Sequence, residues 1–466
     1  MDLKISQDNV LNSIREFLKD KVHDTFILKG YAGTGKTFLM QYLARELEVK
    51  KVSFSFLATT GRAATVLKGK TGFSARTVHG ELYHFHEVDG DNEDIPNNAS
   101  VDKFGQMKLI FSLRQKDDAK RVYIIDEASM LSTEIIADIS YAEFGSGNLL
   151  HDLLDVVDNN KVIFVGDPCQ LPPVGQSFSP AMDEEFLTKI GRKVIVGELT
   201  EIVRMKPDND ILLLANEIRN MVGSISLPKW PKLPATGKNN CTLHASEKDL
   251  LEIYLNQFSK QDKNNFIAIA QSNSMCNKIN AAVRTRLYQK EHAPLQTGDM
   301  LMVTQNNYLV PLTNGDFVEV TAIGELRSEA NLHFQSVRVK HKLTEKEHEI
   351  LLALDVLYGN HSNLTKDQQR MLMINFSNRM RNKNIAPNSK SYKENMKIDP
   401  FLNSLRATFG YAVTCHKSQG GEWDEVFLFL QKGMYHMPRS DMFRWWYTAI
   451  TRTKERLHLA NEWWIV

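Results

Sequence analysis

Short apolar runs punctuate the first 200 positions: TFILK (25–29), VSFSFLA (52–58), RVYIID (121–126) and KVIFVGD (161–167). Each is too short for a helix and too continuously apolar for a strand with one wet face. Each therefore predicts a strand buried on both sides. Helical periodicity fills the gaps. In KTFLMQYLAREL, Phe38, Leu39, Tyr42, Leu43 and Leu47 recur at helical spacing. Apolar strands alternating with amphipathic helices predict a parallel sheet covered on both faces.

The rhythm breaks at about 81–112. The acidic, turn-rich EVDGDNEDIPNN (87–98) reads as a solvated loop, and its flanks ELYHFH and FGQMKLIF are able to pair as a small hairpin. A second alternation starts near 194, with FIAIA (266–270) as a strand and SNSMCNKINAAVRTRL as a helix. From about 293 the pattern changes to TGDMLMVTQNN, NGDFVEVTAI and HFQSVRVKHK, whose alternation and Gly-Asp or Asn-Gly turns predict small antiparallel strands. The stretch 360–400 is polar and basic; it reads either as a solvated linker or as a positive arm on a binding face. After 405, LRATFGYAVTC and EVFLFL read as strands, FRWWYTAITRTKERL as a helix and EWWIV as the end of a last strand. The expected division is an α/β domain over 1–193 with a hairpin insertion, a second α/β domain from 194–292 and 405–466, and a β-barrel-type insertion with a basic arm over 293–404.

Length and composition narrow the class. At 466 residues the chain exceeds one core and predicts about three domains. Lys plus Arg number 57 against 56 Asp plus Glu, so a bulk polycation is excluded while a local basic channel is not. Cys169, Cys241, Cys276 and Cys415 are scattered with no C-x-x-C pair, which argues against a zinc ribbon or disulfide framework and for reduced thiols. The opening MDLKISQDNV has no signal-peptide profile and no run of 18 apolar residues occurs, so an intracellular, cytoplasmic setting without a membrane is expected.

Three segments carry chemistry. GYAGTGKT, Gly30 to Thr37, fits G-x-x-x-x-G-K-[ST] between a predicted strand and a predicted helix. Its glycines, Gly33 and Gly35 with Thr34 between them, let backbone N–H groups curl around phosphate oxygens. Lys36 then reaches the β- and γ-phosphates and Thr37 a Mg²⁺ ion. IIDEAS (124–129) ends an apolar strand in two carboxylates, with Asp126 suited to the Mg²⁺ shell and Glu127 to the attacking water. VGDPCQLPPVG (165–175) also follows a strand and offers Gln170 as a neutral γ-phosphate contact. His79, His84 and His86 lack the companion ligands of a metal site.

In order, GYAGTGKT, ATTGRAA (58–64), TVHG (77–80), IIDEAS, GDPCQLPPV, LTEIVRM (199–205), YAVTCHKSQGGEWDEV (411–426) and YTAITRTKERL (447–457) resemble the motif series of superfamily 1 DNA helicases. The short gap between ATTGRAA and IIDEAS is similar to the RecD and Dda-like B-type branch, and Tyr31 departs from the proline often found in that family's phosphate loop. The resemblance implies two RecA-like P-loop domains, with parallel sheets flanked by helices, that sandwich ATP with Mg²⁺. It also implies a hairpin insertion in the first domain and a small β-barrel insertion in the second. Travel is 5′ to 3′ on single-stranded DNA, by a chain expected to act as a monomer on forked DNA, with replication or repair partners unspecified. By the same resemblance Gln7 reads the adenine edge, Glu422 lies near the ribose, and Arg204 and Arg452 cross the cleft to the γ-phosphate. The nucleic-acid face is assigned to Thr59, Thr60, Arg62, His79, Thr414, His416 and Lys417. Phe85, Phe104 and Phe111 are candidates for a strand-separating wedge, or small-core packing. A single-strand translocase without unwinding remains open, as does, from another class, a P-loop phosphotransferase.

Overall fold

The computed structural model describes residues 3–85, 109–115, 120–134, 142–203, 209–222, 230–258, 265–307, 309–386 and 389–466. The four predicted strands of the first region pair in one parallel sheet of six. Its order is Ala75–Thr77, Phe54–Ala58, Val122–Asp126, Lys161–Gly166, Thr25–Gly30, Val194–Leu199. Neighbouring side chains point to opposite faces. Phe26, Leu28, Ile124, Ile163 and Val165 enter one core with Leu39, Leu43 and Leu47 of the helix Lys36–Val49. Ile27, Tyr123, Ile125, Val162 and Phe164 enter the other, with Leu150 and Leu153 of the helix Leu149–Val157. Two covered faces explain why these strands read as unbroken apolar runs.

A second parallel sheet has the order Cys241–His244, Thr453–Ala460, Trp423–Phe429, Phe266–Ala270, Ala412–Thr414. Its strands again divide their residues between two cores. Ile267, Ile269, Val426 and Leu428 pack with Trp445 and Trp446, while Ala268, Ala270, Phe427 and Phe429 pack with Ile279 and Val283. The tail EWWIV is not a strand in this sheet. Ile465 makes a single bridge to Leu233, and Trp464 is buried.

The β-rich stretch forms an antiparallel sheet ordered Glu347–Ala353, Leu332–His341, Phe317–Glu329, Met300–Val303, Ala407–Phe409. Ala353 N–H donates to the Leu405 carbonyl at 3.0 Å and Leu405 N–H to that of Leu351 at 2.7 Å, which brings the outer strands together as in a small barrel. LRATFGYAVTC is thus two strands, the first in this sheet and the second in the parallel one, so the sheet runs past the expected limit at 404. The chain crosses at Gly410, where a Cβ would lie 3.0 Å from the Leu301 carbonyl carbon. The basic stretch is no linker. Helices Lys366–Asn382 and Lys390–Ile398 pack Met373, Phe376, Met380, Tyr392 and Met396 together. Their sparse apolar stripe was masked by the polar residues between.

The predicted hairpin pairs Tyr83–Phe85 antiparallel to Leu109–Leu113, and Ala142–Phe144 adds a third, parallel strand. The acidic tip at 87–98 and Phe104 lie outside the described residues. Phe111 is buried and stacks on Phe144 with ring centroids 4.6 Å apart, so it packs the small core. No helix among the described residues is long and apolar enough to cross a membrane.

Candidate nucleotide and nucleic-acid site

The strand Thr25–Gly30 delivers the chain into a loop whose Gly33 and Gly35 have φ of 78° and 82°. Only glycine adopts such angles without cost, which explains both positions. Lys36 folds back over the loop, its Nζ donating to the carbonyls of Gly30 at 2.6 Å and Tyr31 at 3.2 Å. A Cβ on Gly30 would sit 2.6 Å from Lys36 Cγ, so that glycine makes room for the lysine stem. Thr34 Oγ1 donates to the Tyr31 carbonyl at 2.8 Å, and Gly35 is the N-cap of the helix begun by Lys36 and Thr37. Gln7 is buried beside this loop. Its Nε2 donates to the Thr34 carbonyl at 3.1 Å and its Oε1 accepts the Lys4 N–H at 3.2 Å. The amide expected to read adenine is spent on holding the loop and capping its own helix.

Asp126 ends its strand inside the cleft. Burial, then the neighbouring Glu127 carboxylate, push its pKa up, while Lys36 and Lys70 oppose them. Glu127 has φ 51° and ψ 37°, a left-handed conformation that a non-glycine residue holds only against strain. Two adjacent, half-buried carboxylates form a hard-oxygen donor set that a cation would relieve, and with Thr37 they suit Mg²⁺. Gln170 is buried, and its Oε1 has no hydrogen-bond partner among the described residues.

The second parallel sheet closes the cleft. Arg452 is buried, with Nε donating to the Thr448 carbonyl at 3.1 Å and Nη1 to that of Gly421 at 3.3 Å. Glu422 pairs with Lys70 Nζ at 3.1 Å, linking the helix Gly61–Thr71 to the opposite half. One cavity of about 1050 Å³ is lined by Gly33, Gly35, Lys36, Thr37, Asp126, Glu127, Gln170, Glu422 and Arg452. Arg204 lies outside the described residues.

Sequence reasoning missed Asp167 and Tyr447, although both sit in quoted motifs. Tyr447 Oη donates to Asp167 Oδ2 at 2.6 Å and accepts the Ala32 N–H of the phosphate loop at 3.0 Å. Beside it, Thr448 Oγ1 accepts the Leu171 N–H at 2.9 Å. Adjacent residues of the helix Arg439–Ile450 therefore grip the phosphate loop and the Gln170 loop together.

The expected nucleic-acid residues divide. Thr59 and Thr60 follow the strand Phe54–Ala58, with Thr60 Oγ1 capping the next helix through the Ala63 N–H at 3.1 Å. Thr414, at a strand end of the other sheet, and Lys417 line a second cavity of about 520 Å³ with Asn273, Asn277 and Arg284. Burial lowers the pKa of His416 and Lys417. His79 packs its ring against Tyr83 and Phe144, and burial lowers its pKa to about 4, so it is neutral rather than a cationic phosphate contact. Arg62 departs furthest from expectation: its side chain is buried and lines the cavity around Lys36, because the rings of Phe317 and Trp423 draw the guanidinium there.

Two half-sites around a phosphate loop define a P-loop nucleotide-binding protein of two parallel α/β sheets. The comparisons narrow the class. Residues 11–224 match the model of an AAA domain and residues 409–460 that of a UvrD-like helicase C-terminal domain, in the order the motifs imply. An uncharacterized protein of Acanthamoeba polyphaga mimivirus is 23% identical, covering 98% of this chain and 99% of its own. The ATP-dependent DNA helicase Pif1 of a Psychrobacter species is 24% identical over 88% of this chain and 62% of its own. The ATP-dependent RecD2 DNA helicase of Deinococcus radiodurans is 23% identical over 94% and 47%. The chain thus spans less than two thirds of either helicase. A crystal structure of Pif1 helicase from Bacteroides with ADP-AlF3 and single-stranded DNA aligns with all of this chain and 95% of its own, at 17% identity and a TM-score of 0.47. The resemblance to superfamily 1 helicases of the RecD-like branch stands on the two family models and the Psychrobacter and Deinococcus relatives.

Proposed function

We propose that the chain is an ATP-dependent DNA helicase that translocates 5′ to 3′ on single-stranded DNA. The observation that carries this is the shared cavity. Lys36, Thr37, Asp126, Glu127 and Gln170 approach it from one sheet, and Glu422 and Arg452 from the other. A phosphotransferase closed within one domain has no need of a buried arginine supplied by a second sheet.

In this reading the loop N–H groups, Lys36 and the helix N-terminus bind the triphosphate. Thr37 and Asp126 would hold Mg²⁺, which would neutralise phosphate charge. Glu127 orients the attacking water and accepts its proton, Gln170 contacts the γ-phosphate, and Arg452 stabilises the transition-state charge. Arg204 shares that last task. Gln7 fixes the loop, with the adenine edge within its scope only if it gives up its present hydrogen bonds. Because Arg452 and Glu422 belong to the other half, turnover depends on closure, and closure moves the strand ends that carry Thr59, Thr60 and Thr414. Those residues, with His416 and Lys417, suit a sugar-phosphate backbone read without regard to sequence. The reading keeps the division into 1–193, 194–292 with 405–466, and 293–404, with Ala407–Phe409 assigned to the antiparallel sheet in which it pairs. Four free cysteines suit a reducing intracellular setting, where the chain acts as a monomer on forked DNA.

The test is ATP hydrolysis with and without single-stranded DNA. Stimulation by DNA, lost in Lys36→Ala, supports the reading. Turnover indifferent to DNA returns the chain to the phosphotransferases, and a Lys36→Ala variant that still hydrolyses ATP removes the phosphate-loop assignment.

A further inference from the structure

Arg62 sits in a motif assigned to the nucleic-acid face, yet its side chain is buried and lines the cavity that holds Lys36. The cause is how closely the two halves meet. A Cβ on Gly61 would run into Thr313 of the antiparallel sheet, one on Gly420 would lie 3.2 Å from the Ala63 Cβ, and one on Gly421 would lie 2.8 Å from Arg62 Cζ. With backbone this close, the arginine has room only between two rings. Its Cζ lies 4.4 Å from the ring centroid of Trp423 and 4.9 Å from that of Phe317. Stacking of this kind holds a guanidinium's plane while leaving its edge free to donate.

Two of its N–H groups are unsatisfied. Arg62 is 7% exposed, and its Nε and Nη1 have no hydrogen-bond partner among the described residues. Buried arginine N–H groups are normally paired, so two orphans on one side chain are unusual. The same cavity holds Lys36, Asp126 and Arg452, and Arg452 donates to the carbonyl of Gly421, the residue against which Arg62 rests.

We propose that Arg62 is a nucleotide-binding residue whose Nε and Nη1 donate to anionic oxygens of the bound nucleoside triphosphate. It does so only in the closed cleft, where Phe317 and Trp423 hold it in place. The proposal rests on the ATPase reading above and adds a third guanidinium to it. It gives the ATTGRAA segment two outputs: Thr59 and Thr60 toward the strand, and Arg62 toward the nucleotide. Local electrostatics agree. Burial pushes the Arg62 pKa down to about 10 and Arg452 adds to that, against the carboxylates of Asp316 and Glu422; the group stays a cation near neutral pH, and a polyanion in the cavity would offset the cost of burying it.

The experiment uses the full chain, with Arg62→Ala and Arg62→Lys. Affinity for a fluorescent ATP analogue with Mg²⁺ and affinity for a labelled oligothymidine without nucleotide are measured side by side. The expected result is a loss of at least about tenfold in nucleotide affinity for both variants, because Lys cannot donate from two fixed, separated positions of a planar group, with oligothymidine affinity held within about twofold. Loss of oligothymidine affinity with nucleotide affinity intact overturns the proposal and returns Arg62 to the DNA face. Unchanged affinities in both assays overturn it as well, leaving a packing role. If Arg62→Ala fails to fold, Arg62→Lys decides alone, since it keeps the charge and an aliphatic stem against the rings. A parent chain that binds no ATP analogue sinks the ATPase reading itself, which distinguishes that failure from failure of Arg62.

Discussion

Tyr447→Phe deletes one oxygen and breaks two hydrogen bonds that join the halves of the molecule. The hydroxyl donates to Asp167 Oδ2 at 2.6 Å and accepts the Ala32 N–H at 3.0 Å, and neither Tyr447 nor Asp167 is more than 1% exposed. Water does not readily replace what is lost. Asp167 keeps the Cys169 N–H on its other oxygen at 3.0 Å, so the carboxylate is weakened rather than stranded. A hydrogen bond to a charged group is worth about 1.5–3 kcal/mol, and the amide bond to Ala32 about 1 kcal/mol. If these bonds form on closure, losing the first alone lowers kcat/KM for ATP by roughly 10- to 150-fold. The assay is steady-state ATP hydrolysis at saturating single-stranded DNA for Tyr447→Phe, Asp167→Asn and the double variant. The two single losses should overlap, with a coupling energy of about 1–2 kcal/mol. A Tyr447→Phe variant within about twofold of the parent, or losses that simply add, would refute the idea that this hydroxyl joins cleft closure to the phosphate loop.

Two further outcomes follow from where charge is held. Glu81 is 4% exposed and ion-pairs with Arg76 at 3.2 Å, Arg114 at 3.1 Å and Arg121 at 3.6 Å, tying the hairpin to the first sheet. Glu81→Gln should cost about 3 kcal/mol, near the low end for a broken buried pair because Arg76 is largely exposed, whereas Arg76→Ala should cost under about 1 kcal/mol. Equal shifts in urea midpoint for the two would contradict this. The raised pKa of Asp126 means that its ionised form burdens the fold. Its cost is absent below the ordinary carboxylate range and grows as pH rises toward the folded value. Metal-free Asp126→Asn should therefore melt higher than the parent at about pH 8, and the gap should close toward about pH 4; a variant less stable at both would be inconsistent with that sign.

What the sequence revealed depends on how far apart the interacting residues lie. The phosphate loop and the Asp126 strand end are local arrangements, in which an apolar run ends and the chemistry follows within a few positions. Such signals survive without tertiary information. The bond of Gln7 to the loop was not foreseen, because its partner Thr34 is chosen by how the first helix lies on the loop. The burial of Arg62 was not foreseen because the direction of its side chain is set by Phe317 and Trp423, both more than 250 positions away. Tyr447 and Asp167 are 280 positions apart, and nothing in either segment announces the other. LRATFGYAVTC reads as one strand because alternation carries no mark of which sheet a residue joins. The helices at 366–398 were hidden by composition, their apolar stripe being too thin to stand out from the charges around it.

The central claim is that ATP turnover in the shared cavity drives one-way movement along DNA. The most direct measurement is unwinding of a forked duplex bearing either a 5′ or a 3′ single-stranded tail, with ATP and Mg²⁺. Strand separation that requires the 5′ tail and disappears in Lys36→Ala is the expected result. Separation that requires the 3′ tail would contradict the assigned branch and direction, and no separation with either tail, despite DNA-stimulated hydrolysis, would contradict the helicase in favour of a translocase.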